Sequence, residues 1–133
     1  MAGVNNEKNI LFLLVVGLAG WIVPGGGHFI LNEKKRAVIL FATILITFCL
    51  GLYVGSIGVV DPIGAGYWYM AQIVTSPFVA ILGHYTAGGG YPVYGKPEEI
   101  GQLYTSMAGL LNLLCIVNAI YLGRLRQIGL RKG

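Results

Sequence analysis

The chain has 133 residues, of which 56% are hydrophobic and 11% are charged, and its mean hydropathy is +0.73. Soluble domains carry about 25% charged residues, so this composition excludes an ordinary water-exposed surface and indicates that lipid surrounds much of the chain. The length predicts one domain over residues 1–133. The net charge of +4 comes from cations beside apolar runs, which indicates anchoring at a membrane and argues against a nucleic-acid-binding face.

Four apolar segments are candidates for membrane-spanning helices, which need about 20 residues each. The first, Ile10 to Val23, is short and ends before Pro24, because proline lacks a backbone N–H and disfavours a helix before it. The second, Ala37 to Val60, has no ionisable group except the thiol of Cys49. It is therefore predicted to cross the membrane completely.

The third segment, Tyr67 to Tyr85, has tyrosines at both ends, about 27 Å apart if the helix is straight, as expected for aromatic residues at two membrane surfaces. Pro77 predicts a kink in its middle. The fourth, Leu103 to Leu122, carries no charge. These runs are apolar on every side, which excludes barrel strands. The sequence predicts an all-α integral membrane protein, a bundle of about four transmembrane helices in which the third is a candidate for a kink or a re-entrant path.

The distribution of lysine and arginine favours the re-entrant path. Four full spans would place five cations at one surface and four at the other, which assigns no orientation under the positive-inside rule. If Tyr67 to Tyr85 enters and leaves at one surface, the division becomes seven to two. The aromatic ends favour crossing and the charges favour re-entry, and of the two we expect crossing.

The stretch PGGGHF, residues 24–29, separates the first two segments. A phosphate-binding glycine loop would need a preceding strand and a following GK[ST], and the chain has neither. Pro24 ends the first helix, and the three glycines permit positive φ angles. The basic run Lys34 to Arg36 would hold the turn at the polar surface, so this stretch is predicted to be a surface turn between two membrane helices.

With the basic run and the second apolar segment, this turn resembles a Pro-Gly-x-Gly-x-Phe signature of small prokaryotic two-transmembrane-helix domain proteins and related domains of unknown function. The residues that carry the signature are Pro24, Gly25, Gly27, His28 and Phe29. Ile30 and Asn32 depart from it, since the signature has an aromatic residue and a glycine there. The stretch EIGQLYTSMAGLLNLLCIVNAIY also resembles the last helix of an uncharacterised bacterial family. The resemblance implies a multi-pass protein of the prokaryotic inner membrane, without an activity to carry over.

Two predicted helices carry small residues at spacings that permit close helix packing. The fourth has a stripe with alternating spacings of four and three, which consists of Gly101, Thr105, Ala108, Asn112, Cys115, Ala119 and Leu122. The second has small residues at every fourth position, namely Thr43, Thr47, Gly51 and Gly55. Internal packing is the simpler interpretation of both faces. Contact with other subunits is the alternative, because a small chain does not obviously need two such faces for its own packing.

The histidines His28 and His84 are the candidate cofactor ligands. Either ring could ligate haem iron or chlorophyll magnesium, and either could instead form hydrogen bonds near a membrane surface. Neither has a second ligand at i+3 or i+4, which argues against a multi-histidine metal site. Asp61 precedes Pro62 and is interpreted as a turn residue rather than an intramembrane carboxylate. No catalytic set is present, so the chain is predicted not to be an enzyme.

Three functions are compatible with these features. The first is an accessory or structural subunit of a respiratory, photosynthetic or transport complex, in contact with membrane lipid and with other subunits. The second is a tetrapyrrole-ligating subunit that uses His84 or His28. The third is a small homo-oligomeric channel or transporter, with Asn112 and Asp61 along its path. Bound lipid is expected in each case.

Overall fold

The computed structural model describes residues 2–87 and 96–129, and within these ranges every regular element is helical. This confirms the predicted all-α class. The α-helices are α1 (Ala2–Ile22), α2 (Gly26–Ile30), α3 (Lys34–Gly55), α4 (Gly66–Ile73), α5 (Phe78–Thr86) and α6 (Lys96–Gln127), and a short 3₁₀ helix, Ile57–Val59, follows α3.

The antiparallel pair α3 and α6 is the scaffold of the molecule. At the start of α3, Glu33 accepts a hydrogen bond of 3.0 Å from Nη2 of Arg126 near the end of α6; we call this the basic end. At the opposite end, a Cβ added to Gly55 would lie 3.0 Å from the Cα of Gly101. Glycine is needed here because any side chain would separate the two backbones.

In the described part of the chain, α3 and α6 are the two helices long and apolar enough to cross a membrane, judged by length and composition. The prediction of about four such helices is therefore wrong in number. The first predicted segment, Ile10 to Val23, belongs to α1, which has the polar start NNEKN and ends before Pro24. The third, Tyr67 to Tyr85, is divided between α4 and α5 by a break that includes Pro77.

The helices α1 and α2 form a hairpin that starts and finishes at the basic end. Near its start, the carbonyl of Asn9 accepts a hydrogen bond of 2.9 Å from Nε2 of Gln127. Farther along, a Cβ on Gly20 would lie 3.2 Å from the side chain of Ile116, about 17 Å from Gln127 along α6. After α2, the carbonyl of Leu31 accepts a hydrogen bond from the end of α6. The PGGG tip therefore lies beside the middle of α6, and not at an end of the scaffold, where a turn between two spanning helices would lie.

The helices α4 and α5 form a second hairpin that starts and finishes at the opposite end. Just after α4, the carbonyl of Val74 accepts a hydrogen bond of 2.9 Å from Asn112, at the middle of α6. At the end of α5, the hydroxyl of Thr86 donates to the carbonyl of Val60, shortly beyond the end of α3. The segment therefore follows the re-entrant path relative to the scaffold.

The two halves of the chain repeat one arrangement in opposite directions. Each half has a short helical hairpin whose tip carries a proline, Pro24 or Pro77, followed by one long helix, α3 or α6. The first hairpin starts at the basic end and the second at the opposite end. The two halves therefore have the topology of an inverted repeat, although α1 has 21 residues and α4 has 8.

As a result of this topology, most of the lysine and arginine side chains of the described residues lie at the same end of the scaffold. The side chains that lie at the basic end are Lys8, Lys34, Lys35, Arg36, Arg124 and Arg126. Lys96, at the start of α6, lies at the opposite end. Arg131 and Lys132 fall outside the described residues. Over these seven cations, a single re-entrant segment would give a five-to-two division. The structure gives six to one, because the α1–α2 hairpin also returns to its starting end.

Candidate functional site

The tips of the two hairpins meet beside the middle of α6. The indole Nε1 of Trp21 donates a hydrogen bond of 3.0 Å to the carbonyl of Ile73, at the end of α4. In return, the hydroxyl of Ser76 donates a hydrogen bond of 2.9 Å to the carbonyl of Ile22, at the end of α1. The last carbonyls of a helix have no partner within it, so each hairpin satisfies a terminal carbonyl of the other. We call these four residues the hairpin junction.

Asn112 of α6 donates hydrogen bonds to the backbone just after the end of α4. Its side chain is fully buried, and its Nδ2 donates hydrogen bonds of 2.9 Å to the carbonyls of both Val74 and Thr75. A side-chain amide has two N–H donors, and both are used here. The sequence predicted that Asn112 needs a partner, and the partner is the broken backbone between α4 and α5.

A line of buried polar side chains extends from Asn112 toward the opposite end, between α4 and α6. Gln72 is fully buried, and its Nε2 donates to Oγ1 of Thr105 at 2.8 Å and to the carbonyl of Val59 at 3.0 Å. Thr75, which is 5% exposed, lies between Gln72 and Asn112 along the interface. We call Gln72, Thr75, Thr105 and Asn112 the polar seam.

Three oxygens of the polar seam make no hydrogen bond with the residues the structure describes. They are Oε1 of Gln72, Oγ1 of Thr75 and Oδ1 of Asn112. A buried polar atom without a partner costs about 1–3 kcal/mol, so most such atoms in native proteins are paired. The seam therefore offers acceptor oxygens to a ligand that brings positive charge or hydrogen-bond donors.

The residues predicted to form helix-packing faces are buried within this chain. They are Gly51, Gly55, Gly101, Thr105, Ala108 and Asn112. Gly51 and Gly55 face Gly101, whereas Asn112 faces the α4–α5 break. Thr43 is exposed and Thr47 is partly exposed, and their hydroxyls donate to backbone carbonyls of their own helix at 2.8 Å. The two close-approach faces therefore contact each other and the α4–α5 hairpin.

The sequence alone predicts no role for Trp21, Gln72, Thr75 or Ser76. A signal for three of them was present, because Gln72, Thr75 and Ser76 interrupt an apolar run just before Pro77. Such an interruption indicates a weak membrane helix, but it does not say which element completes the hydrogen bonds. Trp21 had no comparable signal, since a tryptophan near a predicted helix end is ordinary in membrane proteins.

The two histidines lie in different environments. His28 is 1% exposed, and its Nε2 lies 3.5 Å from Nδ2 of Asn118. Burial, with a contribution from Arg36 and against the opposing effect of Glu33, lowers the pKa of His28. His84 is exposed near the opposite end, beside Tyr85. Of the two, only the ring of His84 is open to a ligand as large as a tetrapyrrole.

In the described ranges, the acidic side chains and the other potential metal ligands do not cluster into a metal site. Oδ1 of Asp61 accepts a hydrogen bond of 2.9 Å from the backbone N–H of Ile63, which is a turn contact. No group of three or more His, Cys, Asp or Glu side chains there could hold a metal ion. The candidate binding site is therefore the hairpin junction together with the polar seam beside it.

Comparison with curated proteins and with solved structures gives no match. The model of one protein family, described as a family of unknown function (DUF6677), matches residues 15–131. That range includes the tips of both hairpins and the polar seam, and it agrees with the expectation of a domain of unknown function. The chain belongs to the DUF6677 family.

Proposed function

We propose that the chain is a multi-pass membrane protein in which α3 and α6 cross the bilayer and the two hairpins re-enter from opposite surfaces. The 22 residues of α3 span about 33 Å, close to the thickness of the hydrocarbon core. Large apolar side chains such as Val38 and Leu114 are 64% and 66% exposed, which suits contact with lipid. The location in a prokaryotic inner membrane, implied by the resemblance, belongs to this proposal.

Within this placement, the function that the geometry supports best is transport of a small cation. The observation that carries it is the hairpin junction, where two broken helices meet at mid-depth. Irregular backbone at membrane depth is tolerated only inside protein or along a cavity. In transporters built from inverted repeats, broken helices at the midplane form the substrate or ion site.

The polarity of the seam favours a cation over an anion. The free polar atoms of the seam are oxygens, and the helices α1 and α4 both direct their C-terminal ends toward the junction. Helix C-termini carry partial negative charge. Neutral oxygens and backbone carbonyls are the groups that replace the hydration shell of a monovalent cation in selective channels.

Cysteine labelling tests the re-entrant topology. In a chain with Cys49 and Cys115 changed to serine, single cysteines at Lys8 and Lys35 are expected to react with an impermeant maleimide from the same side of sealed vesicles. A cysteine at Tyr67 should react from the other side, together with one at Lys96. Labelling of positions 8 and 35 from opposite sides would refute the re-entrant first hairpin.

Thr75→Val tests transport without disturbing the helix ends. Valine keeps the shape of threonine but removes Oγ1, which has no partner among the described residues. We expect unchanged or slightly raised thermal stability and at least about a tenfold loss of sodium or potassium flux into proteoliposomes, since one missing ligand oxygen costs about 1.4 kcal/mol or more. Thr47→Val, at a partly exposed position of α3, is the matched control. Flux equal to that of protein-free vesicles, or equal flux in both variants, would end the proposal.

An accessory-subunit role is the second candidate, supported by the exposed apolar surface of α3 and α6. Migration on a native gel only at the mass of the monomer or homodimer would count heavily against it. A tetrapyrrole-ligating role would require the exposed His84. An absorbance spectrum of gently purified protein without a Soret or Q band would exclude that role.

A further inference from the structure

An apolar groove runs along one face of α3 and passes the tip of the first hairpin. On the side toward the basic end it has a volume of about 530 Å³, with Ala19, Pro24, Phe29 and Val38 among its lining residues. Beyond Pro24 it continues as a second space of about 410 Å³ toward α5, where Phe48 and Leu82 contribute to the wall. Both parts share Phe41. We call the whole the tip groove.

The break between α1 and α2 shapes the wall of the groove. Gly25 has φ 81°, and a Cβ there would lie 2.7 Å from the carbonyl oxygen of Ala37 in α3. Only glycine combines this backbone conformation with such close approach. The start of α2 therefore lies directly against α3, and Phe29 is 59% exposed beside the cleft.

The tip groove leads toward exposed cations at the basic end. The α3 residues along it are Val38, Phe41, Leu45 and Phe48, which recur every three or four positions as one helix face does. One turn earlier the same face carries Lys34. Lys34, Lys35 and Arg36 are all exposed. The nearest acid, Glu33, is already engaged by Arg126 at 3.0 Å, so the mouth of the groove is positive.

We propose that the tip groove binds an acyl chain of an anionic phospholipid, with its phosphate held by Lys34 and the adjacent Lys35. The chemistry of the groove matches this ligand along its length, with an apolar path for the chain and a basic mouth for the headgroup. Basic sites beside membrane helices select anionic headgroups in this way. The inference rests on the proposed membrane placement but not on transport, and the labelling experiment tests that placement separately.

Native mass spectrometry of the purified chain, mixed with equal amounts of phosphatidylglycerol and phosphatidylcholine, tests the site. We expect one retained phosphatidylglycerol in preference to phosphatidylcholine. Lys34→Gln should reduce that preference about fivefold, as expected for one cation near a headgroup, whereas Lys96→Gln, at the opposite end, should leave it unchanged. Val38→Trp should displace the lipid because the ring would fill the groove. Val117→Trp, at a similarly exposed position of α6 (58% against 64% for Val38), should not.

Any one of three results would overturn the proposal. Equal retention of the two lipids would mean that the groove selects no headgroup. Unchanged retention in Val38→Trp would place the lipid elsewhere on the surface. A second copy of the chain that replaces the lipid would identify the groove as a protein interface. Val38 is 64% exposed, so its replacement should not prevent folding, and circular dichroism of each variant verifies this.

Discussion

Gly109→Ala is expected to detach the α4–α5 hairpin from α6. A Cβ at this position would lie 1.8 Å from the carbonyl oxygen of Ala71, 2.9 Å from its carbonyl carbon and 3.2 Å from Oγ1 of Thr75. The first two atoms belong to the backbone, so α4 itself would have to move. Overpacking that shifts side chains and backbone costs about 1–3 kcal/mol and occasionally more, and a contact this short belongs at the upper end of that range. We therefore expect a loss of about 3 kcal/mol or more in the free energy of unfolding, measured by denaturant titration in detergent.

The matched control is Gly66→Ala, at the start of α4, where an added Cβ meets no atom within 4 Å. Alanine is the better helix former at both positions, by up to about 1 kcal/mol. Propensity alone would therefore stabilise both variants, and any loss in Gly109→Ala must come from the contact with α4. A stability of Gly109→Ala equal to that of Gly66→Ala would show that the two helices are not in this contact.

Asn112→Leu is expected to have the second largest effect. Leucine fills a similar volume but has no donor, so it leaves the carbonyls of Val74 and Thr75 without the hydrogen bonds that they receive at 2.9 Å. Each buried carbonyl without a partner costs about 1–3 kcal/mol. Leucine also removes the unpaired Oδ1 of Asn112, which recovers the cost of one buried polar atom. We therefore expect a net loss of about 1–3 kcal/mol in the free energy of unfolding, and loss of protection from hydrogen exchange along α4.

The same substitution at the exposed Asn6, in α1, is the matched control. It should change stability by no more than about 0.5 kcal/mol, as is usual at surface positions. If Asn112→Leu were equally mild, the end of α4 would have another donor and the placement of the second hairpin tip would be incorrect. This test concerns folding, whereas Thr75→Val concerns transport, and the two can therefore fail independently.

The tyrosines at the ends of the third segment favoured one crossing helix, whereas the structure has two helices, α4 and α5, separated by a break. The estimate of about 27 Å between Tyr67 and Tyr85 assumed one straight helix. The break before Pro77 reverses the chain, and a Cβ on Gly83 of α5 would lie 2.6 Å from the ring of Tyr69 in α4. Both tyrosines therefore lie toward one end, and both are well exposed there. The uneven division of cations had favoured a path that turns back.

The sequence by itself determined the helical class, the two long helices, the breaks at Pro24 and Pro77, and the small residues that let α3 and α6 approach. These features depend on hydropathy, proline geometry and residue size over a few neighbouring positions. Only the tertiary structure decided that the chain turns back at each break. That choice depends on hydrogen bonds between distant residues, such as Trp21 to Ile73, 52 positions apart. A broken helix end can turn back at mid-depth only where another element satisfies its carbonyls, and no local pattern identifies that element.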